Sequence, residues 1–130
     1  MTHAGRLALP ACIVAALLIA ACAASPPAAD AYPSGLALYD RAKDLPGFAD
    51  YVIAFVRSQN ARHLDERSGC YAKNVGQRIS LILLVDRNGR IIQSYSDSNT
   101  AKAKCFKAAY LGAQMPIPPF VPLPVQLVMR

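Results

Sequence analysis

Few residues in this 130-residue chain belong to types that do covalent or acid–base chemistry. There are four cysteines, Cys12, Cys22, Cys70 and Cys105, and two histidines, His3 and His63. A thiolate can attack an electrophile, ligate a metal or exchange disulfides, but each task needs company. No two of these cysteines have the C-x-x-C spacing of a redox pair. His63 with two separated cysteines does not make the three or four ligands of a zinc site. No serine stands in a nucleophile-elbow context. Asp65 and Glu66 are neighbouring carboxylates in a polar stretch, where solvation is their ordinary fate. Asp86-Arg87-Asn88-Gly89 offers acidic and amide oxygens without the spacing of a calcium loop. No glycine-rich loop is present to cradle phosphate. The chain therefore reads as a non-enzyme with no metal and no cofactor.

The N-terminal residues carry the clearest chemical signal. His3 and Arg6 form a short polar start, and residues 7–21 are an apolar run interrupted only by Pro10. Small residues follow, Ala20-Ala21-Cys22-Ala23-Ala24-Ser25. This is the pattern of an export signal, and the run falls short of the ~20 apolar residues of a comfortable membrane span. Ile19-Ala20-Ala21-Cys22 resembles a bacterial lipobox. That resemblance makes 1–21 a signal peptide and Cys22 the lipidated first residue, because the thiol is the nucleophile that accepts the diacylglyceryl group. Ala23 after it, rather than Asp, implies the periplasmic side of the outer membrane. An ordinary cleaved signal and a retained inner-membrane anchor facing the periplasm are the alternatives. Export also bears on the remaining cysteines. Cys70 and Cys105, two thiols in an oxidising compartment, are most simply one disulfide, with two free buried thiols as the alternative.

The net charge of +6 is spread rather than clustered. A basic surface attracts anionic lipid, acidic protein or nucleic acid. In an exported chain the first two are at hand, so no nucleic-acid partner is expected. A solvated surface with a mild basic excess accounts for the charge without any partner.

Those residues must be positioned by elements that the hydrophobic pattern lays out. Residues 22–45 are rich in Pro, Ala and Ser and read as a flexible linker. Phe48, Tyr51, Val52, Phe55 and Val56 then fall on one face of a helix, with Gln59 towards the other side. Residues 78–85 are a nearly continuous Ile/Leu strand, as expected where both faces are at least partly covered. Asp86-Arg87-Asn88-Gly89 is a turn in which Asn and Gly supply positive φ, and a second strand follows. Asp97-Ser98-Asn99-Thr100 caps another helix. Its inner side is read as Cys105, Phe106, Ala109, Tyr110 and Ala113, with Lys102, Lys104 and Lys107 outside. Met115-Pro116-Ile117-Pro118-Pro119 is too Pro-rich for helix or central strand. Residues 125–130 form a last strand. The expected architecture over 46–130 is α+β: a small three-stranded antiparallel sheet with two helices packed on one face.

This order resembles the C-terminal domain of the TolA/TonB family. The resemblance rests on the strand ending in Asp86-x-x-Gly89, the second strand, and the Ala-rich helix opening Thr100-Ala101. It extends to the Pro-rich run at Met115 and the closing strand. Cys105-Phe106-Lys107-Ala108-Ala109-Tyr110 followed by Met115-Pro116-Ile117-Pro118 is most like TolA, whose helix similarly holds a cysteine paired with one near the first strand. That implies a Cys70–Cys105 bridge. It also implies an envelope protein–protein interaction module whose last strand, Val125, an exposed Gln126, Leu127 and Val128, pairs with an extended segment of a partner; a strand that only closes the core is the alternative. Such partners would be Tol/Pal-like or receptor-like envelope proteins, or a phage or colicin segment, with the membrane engaged through the lipid anchor. The long periplasm-spanning segment of TolA and TonB has no counterpart here, since about twenty extended residues reach only ~70 Å. An inner-membrane subunit of a Tol/Ton-type energy-transducing complex is the alternative if residues 1–21 are retained.

Overall fold

Seven consecutive residues, Ile79–Val85, form strand β1, and all seven are buried. An aliphatic strand of this kind has to be covered on both faces, and the rest of the chain is arranged to do so. The computed structural model describes residues 28–130. The signal segment, the lipidation position Cys22 and the first residues of the expected linker lie outside them.

The elements run α1 (Ala28–Ala42), α2 (Phe48–Arg62), a four-residue turn of helix α3 (Leu64–Arg67), a 3-10 turn (Cys70–Ala72), β1, β2 (Ile91–Ser96), α4 (Ala101–Tyr110) and β3 (Leu123–Met129). The sheet is antiparallel with order β2-β1-β3. The expected α+β class and three-stranded sheet hold. Ile79, Leu81, Leu83 and Val85 on one face join Val125, Leu127 and Met129 in a single core with Phe48, Tyr51 and Phe55 of α2 and Ala103, Phe106 and Tyr110 of α4.

The second face is covered as well, by a helix the sequence reading missed. Residues 28–42 were expected within a flexible linker, yet they form α1. Pro33 and Gly35 suggested a break. Pro33 lies inside the helix and is exposed, so its ring meets solvent and the loss is one backbone hydrogen bond. Against that, Tyr32, Gly35, Leu36, Tyr39 and Ala42 recur at helical spacing and are all buried or half-buried. Tyr32 bonds Ser80 and Gly35 meets Tyr95 on the face that carries Ile82 and Leu84, 0% and 6% exposed, while Tyr39 and Ala42 pack towards Phe48. Covering two such side chains contributes about 1.5–3 kcal/mol each. Gly35 permits the close approach: a Cβ there would stand 2.6 Å from the Tyr95 ring.

Local differences have similar causes. On α2, Gln59 is buried and Val56 is exposed, because the packed face is Phe48, Tyr51, Phe55 and Gln59. On α4, Lys102 and Ala103 turn inward while Ala109 is exposed. In the β1–β2 turn only Gly89 takes positive φ. Asp86 Oδ1 holds the turn instead, accepting from the N–H groups of Asn88 and Arg90. Gly89 also lies against the Met115 carbonyl, with no room for a side chain.

Gly35→Val tests the role of α1 directly. The added side chain has to displace the Tyr95 ring, so the variant is expected to lose about 1–3 kcal/mol in urea unfolding. Ser34→Ala, at a neighbouring exposed position, is expected to change it by less than about 0.5 kcal/mol.

Candidate functional site

With β1 in the middle, unpaired backbone can occur only at the outer edges of β2 and β3. Hydrogen-bonding direction alternates along an antiparallel strand. The amide of Asp97 donates to Ser80 O at 3.1 Å, so the even residues of β1 face β2. Leu81 and Leu83 therefore face β3, opposite Leu127 and Val125. It follows that Val125, Leu127 and Met129 spend their backbone groups on β1. Pro124, Gln126 and Val128 point theirs away from the sheet. Pro124 has no N–H to offer, which is why a proline is tolerated inside this edge strand.

The four sequence-predicted edge residues thus divide in two. Val125 is fully buried and Leu127 nearly so, both in the core. Val128 is 43% exposed. Gln126 was expected to be exposed, but it is half-buried: its Nε2 donates to Ser80 Oγ at 3.2 Å and to Tyr32 Oη at 3.5 Å. Tyr32 in turn donates to Ser80 Oγ at 2.8 Å. The cause is again α1, which supplies Tyr32. Beside Gln126, α1, α2 and the loop between them leave a groove of about 380 Å³, lined by Tyr39, Phe48, Val52 and Ile53 with Lys43 and Asp44. Ile53 is half exposed there. The groove was not legible in the sequence, because one wall comes from the stretch read as linker.

The β2 edge is closed at its start. Ile91 donates to Ala113 O, and the amide of Gly112 donates to Ile91 O. The Met115 amide reaches Gly89 O, and Arg90 bridges to Gln114.

Cys70 and Cys105 form a disulfide with Cα atoms 5.5 Å apart. The bridge runs from the 3-10 turn before β1 to the middle of α4. Lys102 pins the same loop. It was expected outside, yet it is 1% exposed. Its Nζ donates to Gln77 O at 2.6 Å and lies 5.7 Å from the Tyr71 ring centroid. Its own amide donates to Asn74 Oδ1. A buried ammonium requires such partners, and among the described residues no carboxylate pairs with it.

Burial also marks the tyrosines. It pushes the Tyr51 phenol up to about 12. Tyr71 is likewise raised to about 12, by burial first and then by its hydrogen bond to Asp65. Tyr110 is raised by burial, and its hydroxyl has no partner among the described residues. His63 pairs with Glu66 on the exposed surface at 3.2 Å. Among the described residues no three His, Cys, Asp or Glu side chains group as a metal site, and no helix is long and apolar enough to cross a membrane.

Neither family models, nor curated proteins, nor solved structures give a match to this chain.

Two measurements follow. Replacing Cys70 and Cys105 together by Ala removes the closure of a 35-residue separation and is expected to cost about 2–4 kcal/mol in denaturant unfolding. The tyrosines set the alkaline limit. A phenol whose pKa is higher folded than unfolded holds its proton more tightly in the fold. Its contribution is fully present below pH 10.0 and is lost as pH rises through about 12. Unfolding midpoints are therefore expected to fall between those values, with less fall in Tyr51→Phe.

Proposed function

We propose that this chain is a non-catalytic protein–protein interaction module of the cell envelope, membrane-tethered through Cys22, that takes an extended segment of a partner protein on the outer edge of β3. The observation that carries the reading is the row of outward backbone groups on β3 beside a groove with apolar walls. Backbone pairing supplies affinity in this mode, and pockets for alternate side chains supply specificity. The resemblance of the strand–strand–helix–strand order to the TolA/TonB C-terminal domain points to the same edge.

The geometry defines what such a partner brings. Pro124 withholds a donor, so pairing centres on Gln126 and Val128. The guest is then a short strand of a few residues. One of its side chains is apolar and enters between Tyr39, Phe48 and Val52. The basic balance of the chain adds an attraction for acidic flanking residues.

Val128→Pro tests this. Val128 keeps its side chain partly in solvent, and by strand alternation its N–H faces away from β1, so the substitution removes a guest-facing donor while sparing the ladder to β1. Partner affinity is expected to fall about five- to tenfold with the thermal unfolding curve little changed. Ile53→Glu, which places a carboxylate on the groove wall, is expected to weaken binding further. Unchanged affinity in both folded variants would exclude this edge.

A further inference from the structure

The far side of the sheet holds a second recess whose chemistry is different. It has a volume of about 450 Å³ and lies between β2 and the outer side of α4. Its apolar surface is Ile92, Leu111 and Ala108. Ile92 and Leu111 are 54% and 55% exposed, so two large aliphatic side chains face solvent across the same hollow. Ala108, with its single methyl, leaves the space between them open.

The charged groups lining it are both cationic, and Gln93 and Ser94 add neutral polar groups. Ser94 Oγ is buried and has no hydrogen-bond partner among the described residues. Ser94 stands opposite Leu83, a pair that is not hydrogen-bonded across β1–β2 by the alternation set at Ser80, so its amide N–H points outward. Lys104 and Lys107, one turn apart on α4, add two positive charges, and no carboxylate lines the recess.

The recess is also short. At one end the Gly112–Ala113 segment is bonded to Ile91. At the other, Ser96 is fully buried. A guest strand cannot run through it, which separates it from the β3 groove. What fits is a compact molecule with an anionic head and an apolar tail, of the size that recesses of a few hundred Å³ accept.

We propose that this recess binds a single-chain anionic amphiphile, a fatty-acid-like carboxylate. Its head is held by the outward Ser94 amide and by Lys104 and Lys107, and its chain lies over Ile92, Ala108 and Leu111. This site stands independently of the β3 reading.

Sodium decanoate, kept below its micellar concentration, is the probe, titrated into the purified full chain and followed by amide NMR. A saturable shift at the Ser94 amide is expected. The Lys104→Gln/Lys107→Gln variant is expected to bind roughly tenfold or more weakly. Decanol, which has the same chain without the charge, is expected to bind more weakly by a similar factor. Ala108→Leu, at an exposed helical position, is expected to fill the recess and abolish the shift while leaving the rest of the spectrum in place. The proposal is overturned by no saturable shift at Ser94 up to about 1 mM, or by equal binding of decanol or of the double lysine variant. Shifts centred on Gln126 and Val128 overturn it too. So does binding seen only with anionic phospholipid vesicles, which would make the surface a membrane contact.

Discussion

The structure depends on one constraint: β1 is aliphatic on both faces and cannot be left half covered. Its odd residues are covered by α2 and α4, and its even residues by α1. Ser80 is the one polar side chain in the strand. Buried polar groups require partners, and Ser80 finds them in Tyr32 of α1 and Gln126 of β3. A single hydroxyl thus ties the first helix to the last strand, across 48 and 46 residues of sequence. Cover and edge are coupled through it.

The two edges of the sheet are treated unequally. The segment after α4 covers the start of β2 and satisfies Ile91, and the tight fit at Gly89 holds that segment in place. Edge strands invite unwanted pairing, and covering them is one remedy. At β3 the remedy is partial: Pro124 interrupts the row of donors and the α1–α2 hairpin flanks the strand. Core integrity on that side rests on the loop before β1, which is fastened to α4 twice, by the disulfide and by Lys102.

The sequence made the local, strongly patterned elements legible. The Ile/Leu run of β1, the Asp86–Gly89 turn, the Thr100 cap and the pairing of Cys70 with Cys105 all lie where their residue types required. What it concealed were positions where tertiary contact overrides local preference. Pro33 and Gly35 read as a break, yet the stripe Tyr32, Leu36, Tyr39 and Ala42 was present and outweighs them once a bare sheet face lies opposite. Lys102 read as surface, and only the fold brings Gln77 O and the Tyr71 ring to its ammonium. Gln126 read as exposed because nothing in its neighbourhood announces Tyr32, 94 residues away. The groove along β3 was hidden for the same reason.

β3 is both a core strand and the candidate interface, and strand geometry keeps the two roles apart. Odd residues bury their side chains and bond to β1; even residues direct their backbone outward. Removing an odd side chain, such as Val125 or Leu127, would damage the core whatever the strand binds, so loss of binding in such a variant says nothing about the edge. Gln126 is even but compromised, because its side chain also satisfies Ser80. Val128 is the position at which backbone and packing separate most cleanly, being outward in its hydrogen bonds and partly exposed in its side chain. The wall residue Ile53 is separable for the same reason, since it is half exposed and takes no part in the core. An interface of this kind is defined by groups that the fold leaves unused, and here they are few enough to name.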